Sequence, residues 1–486
     1  MFARPSPPAA SASPAAPVDA ALVLTAACDP GAAAPSTLEV ALSVPAPVGR
    51  VFQLDDEVMG AASTASLVAD AAAADDRGQL PLVRRLRDGA VEFAATREPS
   101  GSVTFRYRAH AIATTETAAR EGLRHDDTGI GGHGRLFLVL PDSQRSYRIR
   151  VTWGAPHCPS TTHGEGMSTF GGDAPSDLVG ELTALREAVY FWGRPQRASF
   201  ADGPLHLRLA WFGEPALDAV AAGAWTARAL AAERAFFADL DPQPYSVFVR
   251  VLRSQDDRAN GIAQETWLLS AIGPGTTFGR RLKVNLAHEM LHRWLGMRLR
   301  LGGAEGTAYW FTEGFTVHYS NRIAFRAGLL STDEFLESLN DLATRHFDND
   351  RAHATNDEIR RGFHRDPVLS IVPYTRGALY AAELDAAVRA ASHGQRTLDD
   401  ALRDLYRAAA GQDGYHGLPF DAVRRLVQTE LGRAGVARYD EVIVRGGDPL
   451  PPVNAYGPCF TREPRQPNGF RWVRVPKLPE AQCRAW

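Results

Sequence analysis

Residues 285–296 read NLAHEMLHRWLG, and the spacing of the two histidines constrains the fold more than any other stretch. His288 and His292 are at i and i+4. On an α-helix this spacing stacks two side chains one turn apart on the same face. Both imidazoles can then reach one metal ion at ~2.0–2.1 Å. The wider stretch RLKVNLAHEMLHRWLG supports a helix, because Leu282, Leu286, Met290 and Leu291 supply apolar positions and Gly296 suits the C-terminal end. Glu289 projects about 100° around the helix from His288. That places it beside a bound ion rather than on it, where a carboxylate can take a proton from a metal-activated water. The competing reading is a solvated helix surface carrying ordinary His and Glu.

Two histidines do not complete a catalytic site, which needs a third protein ligand and one position open to water. Glu313 lies further along, in YWFTEGFTVHYSNR. This stretch reads as a second helix, with Trp310, Phe311, Phe315 and Val317 available for packing. An unpaired carboxylate among those aromatics would be costly to desolvate, and metal binding removes that cost. Two histidines and one glutamate are a catalytic zinc ligand set, so Zn²⁺ is the expected cofactor.

The rest of the chain sets the frame. With 486 residues and 45% hydrophobic content, it can bury several cores. A net charge of −3, without a block of like charges, excludes a nucleic-acid partner. No apolar run reaches the ~18 residues of a membrane span. Lysine occurs only at 283 and 477 while arginine is abundant, a bias that fits a GC-rich bacterial genome. None of Cys28, Cys158, Cys459 and Cys483 stands in a C-x-x-C pair, which argues against a cysteine zinc cluster. Cys459 and Cys483 share a proline-rich segment that a disulfide would hold, so a periplasmic or secreted location is expected; four free thiols are the alternative. Residues 1–20 lack the apolar core of a signal peptide and read as a disordered leader, or as the start of a chain already processed.

Residues 21–170 read as an N-terminal antiparallel β domain. Val103, Phe105, Tyr107 and Ala109 alternate with polar neighbours, as do Tyr147, Ile149, Val151 and Trp153, the period of a sheet with one wet face. GIGGHG at 129–134 fits G-x-G-x-x-G but precedes a strand rather than a helix, so it reads as a flexible turn and not a nucleotide loop. Helical spacing is expected in LVGELTALREAVYFWG and AAGAWTARALAAERAFFADL, and strands in LHLRLAW and YSVFVRVLR. Together with the two motif helices these give a catalytic domain over 171–345. A helical domain follows over 346–445, including STDEFLESLNDLATRHF and TRGALYAAELDAAVRAA. Residues 446–486 form a Pro/Gly-rich tail. The expected fold class is a multidomain α+β protein.

HEMLHRW followed by YWFTEGFTVHYSNR resembles the gluzincin zinc metallopeptidases, most of all the glycyl aminopeptidase family. The matching elements are Trp294 after H-E-x-x-H, and W-x-x-E-G-x-T from Trp310 to Thr316. The likeness is strongest over 240–390. It implies a thermolysin-like catalytic domain, peptide or protein substrates and small N-terminal residues as the preferred target. The PDZ domain common in the family finds too little chain after 440. VPYTRGALYAAELD resembles a Y-x-K-G element whose phenol hydrogen-bonds the oxyanion; this would be Tyr374, with Arg376 in place of Lys, and Tyr319 and Tyr380 as weaker candidates. The segment NGIAQETWLLS matches an edge strand that binds substrate through Gly261 and, in the family, holds the substrate α-amine with a Glu. Here Gln264 stands at that position with Glu265 beside it, and adjacent strand residues face opposite sides. Which of the two faces the cleft stays open, as does aminopeptidase against endopeptidase. A silent zinc-containing peptide-binding scaffold, a hydrolase of non-peptide amides or epoxides, and any oligomeric state also stay open.

Overall fold

A computed structural model describes residues 17–486 apart from 30–34, 59–60, 88, 113–121, 127–128, 144, 159–163, 173, 203–204, 216, 253–259, 412–413 and 477. The leader expected over 1–20 falls largely outside these residues, and Val18 already opens a strand. The chain divides into two compact units, Met1–Arg194 and Pro195–Trp486. The boundary thus falls later than the expected 170/171, because strands Glu165–Ser168, Ser176–Gly180 and Val189–Gly193 all pair inside the first unit.

The first unit is built from sheets. Its largest has seven strands and holds Val18–Ala27, Thr37–Pro45 and Ser102–His110 in antiparallel neighbours. Val18–Ala27 pairs in parallel with Tyr147–Trp153, a departure from the all-antiparallel expectation. A four-stranded sheet containing Val51–Asp55 and Ala90–Ala95 packs against it, with Phe52 stacked on Phe105 at 4.6 Å between ring centroids. The alternation read from the sequence is realised: Val103, Phe105, Tyr107 and Ala109 are buried.

Two local expectations fail in this unit. Gly129–His133 is a strand, not a flexible turn. A Cβ at Gly129 or Gly131 would collide with the backbone of Trp192 or Tyr190, so the glycines permit close strand pairing rather than flexibility. LVGELTALREAVYFWG is not a helix. Only Thr183–Arg186 turns helically, and Val189–Gly193 is a strand buried on both faces. A short, continuous apolar run rich in aromatics carries no period that separates the two.

The second unit opens with a five-stranded mixed sheet. Its strands are β1 (Gln196–Asp202), β2 (Leu205–Phe212), β3 (Tyr245–Val251), β4 (Asn260–Gln264) and β5 (Trp267–Ile272), in the spatial order β1-β2-β3-β5-β4. β4 is an edge strand, antiparallel to β5. Helices α1 (Ala219–Phe237) and α2 (Arg280–Leu291) pack on the sheet. Asp218 caps α1 by accepting from the Val220 and Ala221 amides at 3.0 Å. Then come α3 (Tyr309–Thr312), α4 (Gly314–Arg326), α5 (Thr332–Phe347), α6 (Asn356–Gly362) and α7 (Val372–Ala391). α5 starts on a capping box of Ser331 and Glu334.

One hydrophobic core runs through this unit from Leu205 to Cys483. The helices expected as a separate domain over 346–445, and the tail over 446–486, therefore share a core with the metal-motif helices. The tail contributes Phe460, Phe470 and Trp472 from a hairpin. Asn340 of α5 holds that hairpin, donating to Trp472 O at 3.0 Å and accepting from Trp472 N at 2.7 Å. Disulfides join Cys459 to Cys483, and Cys28 to Cys158 in the first unit. No helix among the described residues is long and apolar enough to cross a membrane.

Candidate metal centre

α2 places His288 in its last turn and His292 at its C-terminal cap. Their Nε2 atoms lie 3.1 Å apart. Glu313 occupies the junction of α3 and α4. The helix expected across YWFTEGFTVHYSNR keeps helical backbone at Glu313, whose N–H donates to Tyr309 O at 2.8 Å and whose carbonyl accepts from Val317 N at 2.9 Å, with only a local interruption between the two segments. Glu313 Oε2 is 3.3 Å from His288 Nε2 and 3.5 Å from His292 Nε2. Among the described residues this is the group of His, Cys, Asp and Glu side chains whose donor atoms converge closely enough to hold a metal ion. A tetrahedral ion with bonds of ~2.0–2.1 Å requires donor–donor edges of about 3.3 Å, and the three measured edges match that figure. His292 Nδ1 faces Leu295 O at 3.0 Å. Donation to that carbonyl leaves the Nε2 lone pair for a metal. The three side chains are 11–14% exposed, so solvent and a ligand can reach them.

Burial alone would lower the His292 pKa, but the Glu313 carboxylate more than offsets it and raises the group to about 9 in the metal-free protein. Burial likewise opposes ionisation of Glu313, yet His292 and His288 hold it well below the usual carboxylate range. A charge pair thus stands where a cation would otherwise sit.

Glycines bring the remaining groups together. A Cβ at Gly261 on β4 would approach Glu289 Cγ to 2.7 Å; the bare backbone at Gly261 makes room for the Glu289 side chain. A Cβ at Gly377 would lie 2.9 Å from Gly314 Cα and would collide with Trp310 O. α7 therefore crosses the α3–α4 junction backbone against backbone, one residue from Glu313. Tyr374, one turn before Gly377, is carried to the triad. Its ring lies 5.9 Å from that of His288, and burial first, then the Glu313 carboxylate, raise its pKa well above the ordinary phenol value. Tyr319 and Tyr380 are core residues instead. Arg376 turns away from the site, donating to Ala352 O at 2.5 Å and Ala354 O at 2.6 Å.

Gln264 ends β4, half-buried. Glu265 is in the following turn, and its Oε1 accepts from Arg298 Nε at 2.6 Å. Arg298 belongs to a buried network that the sequence reading missed. Asp239 binds Arg298 Nη1 at 2.8 Å, Arg293 Nε at 3.2 Å and Trp294 Nε1 at 3.1 Å. The signal was present in the run of arginines after H-E-x-x-H, but their partners come from the loop before β3.

Comparisons with known proteins give a family match over part of the chain and solved structures of similar fold. Residues 282–359 match the family described as M61 glycyl aminopeptidase. No curated protein matches the chain in sequence. Solved structures share its fold. An aminopeptidase N family protein from Idiomarina loihiensis superposes with a TM-score of 0.73 at 14% identity, covering 92% of this chain and 79% of that one. The M1 zinc metallopeptidase of Deinococcus radiodurans gives 0.53 at 18%, covering 89% and 95%. A mutant of that enzyme bound to a Tyr-Ser-Ala substrate gives 0.54 at 20%, covering 90% and 95%.

Proposed function

We propose that the protein hydrolyses peptide bonds at a zinc centre held by His288, His292 and Glu313, in a catalytic domain of the thermolysin-like kind. The convergence of three donors on edges of 3.1, 3.3 and 3.5 Å carries this reading. Zinc, when bound, acidifies a water toward pKa ~7 and polarises the scissile carbonyl. Glu289 takes the water's proton and delivers it to the leaving amine. Its position against the Gly261 backbone fits that role, because an edge strand there can pair with a substrate backbone and present the carbonyl to Glu289. Tyr374 donates a hydrogen bond to the developing oxyanion; burial keeps the proton on the phenol.

The activity is of the aminopeptidase type, with a preference for small N-terminal residues. Gln264 accepts a hydrogen bond from the substrate amine without neutralising it, while Glu265 is engaged by Arg298. The requirement for a free N-terminus is therefore relaxed, and that observation favours endopeptidase action as the second reading. The two disulfides support an oxidising, periplasmic or secreted location.

The test compares wild type with Glu289→Gln on a peptide and its N-acetylated form, with zinc measured in both proteins. The variant is expected to retain zinc and lose turnover by roughly 10²–10⁴-fold. Full turnover in the variant would refute the mechanism. Acetylation is expected to slow cleavage by roughly 10–10²-fold, because one charge-assisted hydrogen bond from the substrate ammonium is lost.

A further inference from the structure

A row of aromatic rings leads away from the metal centre. The Tyr374 ring stands beside His288. Phe363 lies parallel to Tyr374, at 6.5 Å and 14°. Tyr309 lies 4.2 Å from Phe363. We propose that Phe363 and Tyr309 form a subsite that takes an aromatic side chain from the substrate residue on the leaving-amine side of the scissile bond, the N-terminal side chain being the small one. The proposal rests on the zinc-peptidase reading for the word substrate, but the subsite itself is a matter of geometry.

Exposure distinguishes these rings from the packing aromatics around them. Trp310, Phe311 and Phe315 are at most 2% exposed and belong to the core. Phe363, Tyr309 and Tyr374 are only half-buried, and they adjoin donors that themselves remain accessible. Phe363 also has its own support. It caps the C-terminal end of α6, which starts on a capping box of Thr355 and Glu358. The ring rests partly on a small separate cluster of Ala354, Ile359, Leu369 and Val372. This short element thus presents one ring beside the reaction centre and lies partly beyond the family-matched segment, which ends at 359.

The outer end of the row is polar. Tyr309 Oη is 3.3 Å from His364 Nε2 and 3.5 Å from Glu305 Oε1. An apolar wall closed by a polar rim suits a flat side chain whose faces stack and whose tip meets water or a hydrogen-bond partner. Offset stacking at these separations favours phenylalanine or tyrosine over aliphatic side chains.

The experiment uses the zinc-loaded Glu289→Gln protein, so that binding is read without cleavage. Affinities for Ala-Ala-Ala, Phe-Ala-Ala and Ala-Phe-Ala are measured by calorimetry. Ala-Phe-Ala is expected to bind about 10-fold tighter than Ala-Ala-Ala and Phe-Ala-Ala no tighter, and Phe363→Ala to reduce the Ala-Phe-Ala ratio to about 2-fold or less. Tyr309→Ala, on a different element, is expected to reduce it as well, so the outcome does not hang on one variant folding. Equal affinities for all three peptides, or a preference that survives both substitutions, would overturn the subsite. Absence of wild-type turnover alongside a Phe363-dependent preference would instead refute hydrolysis and leave the subsite standing.

Discussion

At the scale of single residues, His292 links protonation to metal binding. Its pKa in the metal-free protein is raised to about 9, above the ordinary value of ~6.5. A raised folded-state pKa contributes stability that is present in full below the unfolded value and is lost as pH rises through the folded one. Metal-stripped protein is therefore expected to lose thermal stability between about pH 6.5 and 9. The zinc-loaded form is expected not to show that loss, because metal binding requires the neutral imidazole. Melting curves of both forms across this range check it; parallel curves would refute the linkage. Tyr374 gives a second residue-scale expectation. Tyr374→Phe removes one oxyanion donor while keeping the ring beside His288. kcat is expected to fall by roughly 10²–10³-fold with KM little changed, and steady-state kinetics that show only a KM change would remove Tyr374 from that role.

At the scale of elements, close approach of backbones decides the site. α7 meets the α3–α4 junction through Gly314 and Gly377, and neither glycine can accept a methyl group without the helices separating. Gly377→Ala is expected to cost about 1–3 kcal/mol in denaturant unfolding. It is also expected to lower kcat by moving Tyr374 relative to Glu313; unchanged stability and kcat together would show that the crossing is loose. β4 and α2 meet in the same way at Gly261 and Glu289. Here the neighbour is the middle of a side chain rather than backbone, so Gly261→Ala should leave stability nearly intact. A misplaced base is expected to cost roughly 10²-fold in kcat, and rates within twofold of wild type would count against Glu289 depending on that gap.

At the scale of the whole molecule, the tail is structural. Its hairpin fills one end of the second unit's core, and Cys459–Cys483 closes a loop with a sequence separation of 24. Replacing both cysteines by serine is expected to cost about 3 kcal/mol by releasing the unfolded chain. Chemical denaturation measures this, and an unchanged midpoint would show that hairpin packing alone fixes the tail.

What the sequence determined by itself are the features repeated at short range. The i,i+4 histidines lie on one helix face, the strand alternation at 103–109 buries one side, and α5 forms over the stretch STDEFLESLNDLATRHF that reads as helical. Each follows from a local period, which a linear string encodes. The tertiary structure decided what depends on distant partners. GIGGHG became a strand because Trp192 and Tyr190 lie across from it. The YWFTEGFTVHYSNR helix is locally distorted beside Glu313, where Gly377 of α7 packs against Gly314. Glu265 was drawn to Arg298. The tail joined the core. In each case the deciding contact is with a residue far away in the chain, and no local period or spacing carries that information.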